Sequence, residues 1–247
     1  MLVTIEGLDG VGKSTLIEGL YRHFNHGRLF ANIRRMAEPW TIHPKNFPDG
    51  EDEHKDLLSR FYGARSKAAD PRGIGVLAFM LLDRFSHIKH MRRALSQPNT
   101  LYIVDRYIDS STAYQSVSIT EGQFASMGAA SNMDEYDFLL EDWVEYLDAF
   151  QKTLFPVPNL TLYLDGGVEV IQRKARDSRE QLGFKREHTA KMVSRAYDAI
   201  HDLSTNKDRV VKVDARGTVD QVLEEAAQIV QERIDGYVPS QQAEEDE

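Results

Sequence analysis

The chain has 247 residues, 41% hydrophobic and 28% charged, with 39 Asp and Glu against 30 Lys and Arg and no cysteine. A net charge of −9 argues against a nucleic-acid partner, and the missing thiols exclude disulfides, thiolate zinc sites and cysteine nucleophiles. The length suits one large α/β domain, and no apolar run is long enough to span a membrane.

Leu2-Val3-Thr4-Ile5 is a short apolar, β-branched run that reads as a buried strand. It begins at once, so no signal peptide and a cytoplasmic location are expected. Gly7-Leu8-Asp9-Gly10-Val11-Gly12-Lys13-Ser14 follows and matches G-x-x-x-x-G-K-[ST]. Thr15 to Phe24 then repeats apolar residues at helical spacing (Leu16, Leu20, Tyr21, Phe24). Strand, glycine turn and helix in that order let backbone N–H groups curl round a polyphosphate, and the helix N-terminus adds partial positive charge. Lys13 would reach the β- and γ-phosphates, and the Ser14 hydroxyl would hold Mg²⁺.

A second strand is expected within Leu29 to Met36, leading to Glu38-Pro39-Trp40. Thr41 to Gly50 reads as loop and Glu51 to Lys67 as a solvated helix. Ile74 to Leu95 carries a long helical pattern that ends before Gln97-Pro98-Asn99. Leu101-Tyr102-Ile103-Val104 is a buried strand ending in Asp105. Residues 116–137, rich in Ser, Gly and Ala at first and acidic at Asp134, Glu135 and Asp137, read as a surface insertion. Phe138 to Phe155 is an amphipathic helix, broken by Pro156-Val157-Pro158-Asn159, and Leu160 to Leu164 is a buried strand. Val168 to Arg176 and Glu187 to Leu203 read as helices with a basic loop between them. Val210 to Val213 is the last strand and Val219 to Ile234 the last helix. Residues 238–247 form a short acidic tail that is expected to be disordered.

Apolar strands alternating with helices imply a five-stranded parallel sheet with helices on both faces, a P-loop NTPase-type three-layer sandwich. Ligands of such sheets sit beyond the carboxyl ends of the strands. The phosphate loop, Glu38, Asp105 and Asp165 all fall at such ends. Asp105 could hold Mg²⁺ or orient an arginine, or simply cap the next helix. Arg106 offers a bidentate fork to a phosphate, or a salt bridge to Glu38 or Asp105. His87 and His90 share a helix face, which fits core or surface histidines better than a metal site.

Several segments together resemble the thymidylate kinases. Ile5 to Leu16 looks like that family's opening, and Asp105-Arg106-Tyr107-Ile108-Asp109-Ser110-Ser111-Thr112-Ala113-Tyr114-Gln115 resembles its D-R-[YH]-x-x-S-x-x-A-Y-Q signature. Asp83-Arg84 with Ser86-His87 is similar to its D-R-x-x-H segment, and Pro158 to Asp165 to its P-D-L-T-x-Y-L-D strand. Val193-Ser194-Arg195-Ala196-Tyr197 resembles the V-R-x-x-Y of the helix after its lid. The matches run in family order from residue 1 to about 235.

The resemblance implies a single domain over residues 1–237 with a helical lid near 173–187, and transfer of the ATP γ-phosphate to dTMP. ATP would lie on Gly7, Asp9, Gly10, Val11, Gly12, Lys13, Ser14 and Thr15, with Arg173 from the lid. Mg²⁺ would be held by Ser14, Asp9 and Asp105. Glu38, Pro39, Phe79, Met80, Arg84, Arg106, Ser110, Ser111, Tyr114 and Gln115 would take dTMP. Lys13, Asp9, Arg106, Arg176 and Arg179 would carry the transfer. Ala37 stands in place of the arginine of the family's R-E-P-G-G-T loop, and Met80 in place of the aromatic that stacks on thymine, with Phe79 beside it. A homodimer is also implied. Two other functions fit the loop: a deoxynucleoside kinase acting on a 5′-hydroxyl, which Glu38-Pro39-Trp40 faintly resembles, and a nucleotide-binding regulator without turnover.

Overall fold

The structure, a computed structural model, describes residues 1–26, 32–36, 74–96, 100–127, 132–167 and 184–237. Five strands, β1 (Leu2–Gly7), β2 (Asn32–Met36), β3 (Thr100–Asp105), β4 (Leu160–Asp165) and β5 (Val210–Asp214), form one sheet in the order β2-β3-β1-β4-β5. Every pairing is parallel, with Ile5 beside Asp105 on one side and Leu162 on the other. The central strands are buried on both faces, which is why they read as unbroken apolar runs rather than alternating ones.

Alternate residues of these strands feed two cores. Val3, Ile5, Ile103, Leu162 and Val213 meet Leu16, Ile17 and Leu20 of α1 (Lys13–His26) and Ala226 and Val230 of α6 (Val219–Asp235). Leu2, Tyr102 and Val104 pack on Met91 and Ala94 of α2 (Ile74–Leu95), and on Ile108 of α3 (Ile108–Met127). Tyr163 packs with Ala113 and Val117 of α3, Leu140 and Val144 of α4 (Met133–Leu154), and Val193, Ala196 and Tyr197 of α5 (Phe184–Asp202). The sheet therefore carries helices on both faces.

The insertion expected over residues 116–137 is corrected by the fold. Residues 116–127 continue α3, and Ser116, Val117, Ile119 and Thr120 are buried. Their small side chains allow neighbouring helices close approach, so a composition typical of a surface loop here belongs to a packed helix. Asp134 and Glu135 form the first turn of α4, which starts five residues earlier than Phe138. Asn132 accepts from the Glu135 amide, and the Glu135 carboxylate accepts from the Asn132 amide, a capping box that sets this start. Asp137 pairs with Arg195 of α5 at 2.9 Å.

Residues 37–73 and 168–183 lie outside the described residues, and with them Glu38, Pro39, Arg173, Arg176 and Arg179, the helices expected at 51–67 and 168–176, and most of the expected lid. Phe79 and Met80 fall in α2, but their side chains are likewise outside the described residues. The acidic tail at 238–247 also lies outside it.

Candidate active site

The site grows from the carboxyl ends of β1 and β3, neighbours at the centre of the sheet. Between β1 and α1 the loop from Leu8 to Gly12 turns back on itself. Gly7 sits at φ +135°, and a Cβ there would lie 2.7 Å from the Leu164 carbonyl oxygen, so the loop could not leave the sheet at this angle with any side chain. Gly12 at φ +111° aims the chain into α1, whose first turn closes with the Leu16 amide on the Gly12 carbonyl at 3.0 Å.

Lys13 is buried at the start of α1, and its ammonium donates to the carbonyls of Leu8 at 2.8 Å and Gly7 at 3.2 Å. Burial and the neighbouring Arg106 cation pull its pKa down to about 8. A polyphosphate in the loop would supply the anion that this buried ammonium needs. Ser14 and Thr15 follow on the exposed side of the helix.

From β3, the buried Asp105 accepts from the Ser14 hydroxyl at 3.5 Å. Asp9, Ser14 and Asp105 offer a hydroxyl and carboxylates, the hard oxygen donors Mg²⁺ takes. Among the described residues no three His, Asp or Glu side chains gather for a metal.

Arg106 turns back toward the phosphate loop at φ +60°. Its guanidinium pairs with Asp9, lies 5.4 Å from the centre of the Tyr114 ring, and donates to Ser110 Oγ at 3.4 Å. The Asp9 side chain is 84% exposed and the Arg106 side chain 7%. The cation is thus set in the wall of the cleft while its partner stands at the opening. Ser110 and Tyr114 lie one turn apart on α3, so the helix presents both to Arg106.

Arg84 is expected to grip the acceptor beside Arg106. It is buried on α2 and donates to Gln151 at 2.7 Å, to the Tyr107 carbonyl at 2.6 Å and to Ser111 Oγ at 2.5 Å. Its guanidinium also lies 5.6 Å from the Tyr107 ring centre. These bonds link α2 to α3 and α4. Gln115 is also buried on α3.

Two groups escaped the sequence reading. Glu6, at the end of β1, is fully buried and accepts from the Tyr107 amide at 2.6 Å, from Ser110 Oγ, and from the Tyr197 hydroxyl of α5 at 3.3 Å. Burial, reinforced by the Asp109 carboxylate, pushes its pKa up to about 7. Beneath it, burial would raise the Asp109 carboxyl, but Arg209, donating at 2.6 and 2.8 Å, holds its pKa below the usual value. A carboxylate inside an apolar strand run was the one available signal for Glu6. Nothing local marks Arg209 as the partner of a residue 100 positions away.

A parallel sheet, a glycine loop wrapped by a helix N-terminus, and an arginine facing that loop define a P-loop α/β protein. No protein-family model matches the chain. It is 30% identical over 186 residues to a probable thymidylate kinase of Metallosphaera sedula, covering 74% of this chain and 70% of that one. It is 29% identical over 241 residues to a thymidylate kinase of Bacillus cereus, covering 95% and 98%. Its fold matches the solved thymidylate kinase of Candida albicans with a TM-score of 0.58 at 22% identity, covering 96% of this chain and 93% of that one. The chain belongs to the thymidylate kinase family.

Proposed function

We propose that this chain transfers the γ-phosphate of ATP to the 5′-phosphate of dTMP, giving dTDP and ADP. The relatives' name supports the reaction, and one observation carries it into this site. A buried arginine, Arg106, faces the phosphate loop from the opposite wall of the cleft, paired with Asp9. A monophosphate acceptor is already anionic and asks for such a cation, whereas a neutral 5′-hydroxyl asks for a general base.

In this reading the loop amides and Lys13 hold the ATP phosphates, and Lys13 exchanges its bonds to Gly7 and Leu8 for phosphate oxygens. Arg106 leaves Asp9 to take the acceptor phosphate, with Tyr114 beneath its guanidinium and Ser110 steadying it. Ser14 and Asp105, with Asp9 at the opening, would hold Mg²⁺, which supplies charge neutralisation between the phosphates. Arg84, Ser111 and Gln115 form the back of the acceptor pocket. Glu38, Pro39, Phe79 and Met80 complete it, and Arg173, Arg176 and Arg179 add cations to the donor side, as the family resemblance implies. Phosphoryl transfer leaves little covalent work to the protein, so placement and charge dominate the rate. The exposed aromatic face of α4, with Phe138, Tyr146 and Phe150, is the surface a second copy would cover.

The test is product assignment with γ-labelled ATP and Mg²⁺, offering dTMP and thymidine separately. Label on dTDP is the expected result. Label on thymidine, or on neither, contradicts the reading.

A further inference from the structure

Among the described residues, Arg106 is the one non-glycine residue at positive φ. A residue with a Cβ takes that conformation only where its surroundings hold it there. Here the end of β1 holds it through two consecutive amides. The Arg106 N–H donates to the Ile5 carbonyl at 3.0 Å, and the Tyr107 N–H donates to Glu6 Oε1 at 2.6 Å. One acceptor is backbone and would be present in any sequence. The other is a side chain and depends on residue 6 alone.

The second oxygen of that carboxylate is fixed as well. Ser110 Oγ donates to Glu6 Oε2, and the Tyr197 hydroxyl approaches the same oxygen at 3.3 Å. Ser110 and Tyr197 are themselves 2.9 Å apart. The carboxylate is thus held by donors from β3–α3 and from α5, and it cannot rotate off the Tyr107 amide without breaking both. Ser110 is also the residue that accepts from the Arg106 guanidinium. Glu6 therefore touches Arg106 from two directions, through its backbone turn and through its side-chain partner.

We propose that Glu6 is a positioning residue for the phosphoryl acceptor: its carboxylate holds the Arg106–Tyr107 turn in the left-handed form that points the guanidinium at the phosphate loop. Glu6 is fully buried, so it acts through Arg106 and not on a nucleotide. The inference rests on the reading of Arg106 as the cation for the acceptor phosphate. It adds that the aim of this cation is set by a side chain on a different strand.

The experiment compares Glu6→Met, Glu6→Gln and Glu6→Asp with the unaltered full chain, by steady-state kinetics with ATP and dTMP and by crystal structures. Glu6→Met keeps the volume but leaves the Tyr107 amide without its side-chain acceptor. It should raise KM for dTMP and lower kcat by about tenfold or more, because a misplaced binding group costs rate steeply. KM for ATP should change less than KM for dTMP, since Lys13 and the loop amides are retained. Glu6→Gln retains an acceptor for the Tyr107 amide and should recover most of the loss. In the Glu6→Met crystal, Arg106 should leave positive φ and part from Asp9.

A purely structural role predicts something else: a lower Tm and a smaller active fraction, with KM for dTMP unmoved. That result, or an Arg106 still at positive φ in the Glu6→Met crystal, overturns the proposal. If Glu6→Met does not fold, Glu6→Asp decides. It keeps the charge, withdraws the oxygens by one methylene, and should show the same KM change and the same release of Arg106. If the unaltered chain does not use dTMP, the functional reading fails, and the crystals still decide whether Glu6 holds the turn.

Discussion

At the scale of single residues, the site separates into groups legible in the sequence and groups that are not. Lys13, Ser14 and Asp105 could be read because the phosphate loop and the strand-end aspartate are local patterns, and local geometry carries them to the same edge of the sheet. Arg106 was legible from its neighbours, and its pairing with Asp9 follows from β1 and β3 lying side by side. Arg84 was legible as a candidate from its motif, but its bonds to Gln151, Tyr107 and Ser111 come from elements that the motif does not mention. Glu6 was harder still, because its meaning lies in donors from Tyr107 and Tyr197 that no spacing rule connects to it. The division of labour can be checked by paired variants. Lys13→Ala should lower kcat by at least about a hundredfold, the scale seen when a main electrostatic contact to a transferring group is lost. Arg106→Ala should raise KM for dTMP and lower kcat while KM for ATP changes little. An Arg106→Ala enzyme altered only in ATP affinity would move this arginine to the donor side.

At the scale of elements, strands were read well because parallel strands buried on both faces are continuous apolar runs with little else to imitate them. Helices with an apolar stripe, α1 and α6 among them, were equally plain. α3 was not. Ser110, Ser111, Thr112, Ser116 and Thr120 are all buried on it, so its interior looks polar in sequence and composition pointed to the surface. The burial is made possible by what surrounds it: the Arg84 and Gln151 side chains satisfy Ser111 and Thr112, and Arg209 satisfies Asp109 at its first turn. Removing Arg209 would leave Asp109 charged and buried beside Glu6, which is why this remote pair belongs to the site's foundation. α4 has the opposite character. Its inner face is core, while Phe138, Tyr146 and Phe150 are exposed, with the Tyr146 and Phe150 rings parallel at 6.3 Å. In the proposed dimer this face would be the one covered by the second copy. Sedimentation at micromolar concentration should show a dimer, and Tyr146→Glu with Phe150→Glu should shift it to monomer. A monomeric unaltered chain would remove α4 from that role.

At the scale of the whole molecule, the architecture explains why so few groups are needed. The order β2-β3-β1-β4-β5 puts β1 at the centre with β3 beside it, so the phosphate loop and the Arg106 turn emerge from adjacent strands at the same edge. The packed core on each face of the sheet then sets the separation of the loop and the turn. In the proposed reaction two nucleotides lie phosphate to phosphate between Lys13 and Arg106. Binding of an adenosine and a thymidine joined 5′ to 5′ through a polyphosphate tests this without requiring turnover. Joining the two makes the second contact intramolecular, so the linked compound should bind at least about a hundredfold more tightly than ATP or dTMP alone. Most of that gain should vanish in Arg106→Ala. A linked compound that binds no better than ATP, or equally well to Arg106→Ala, would contradict the account.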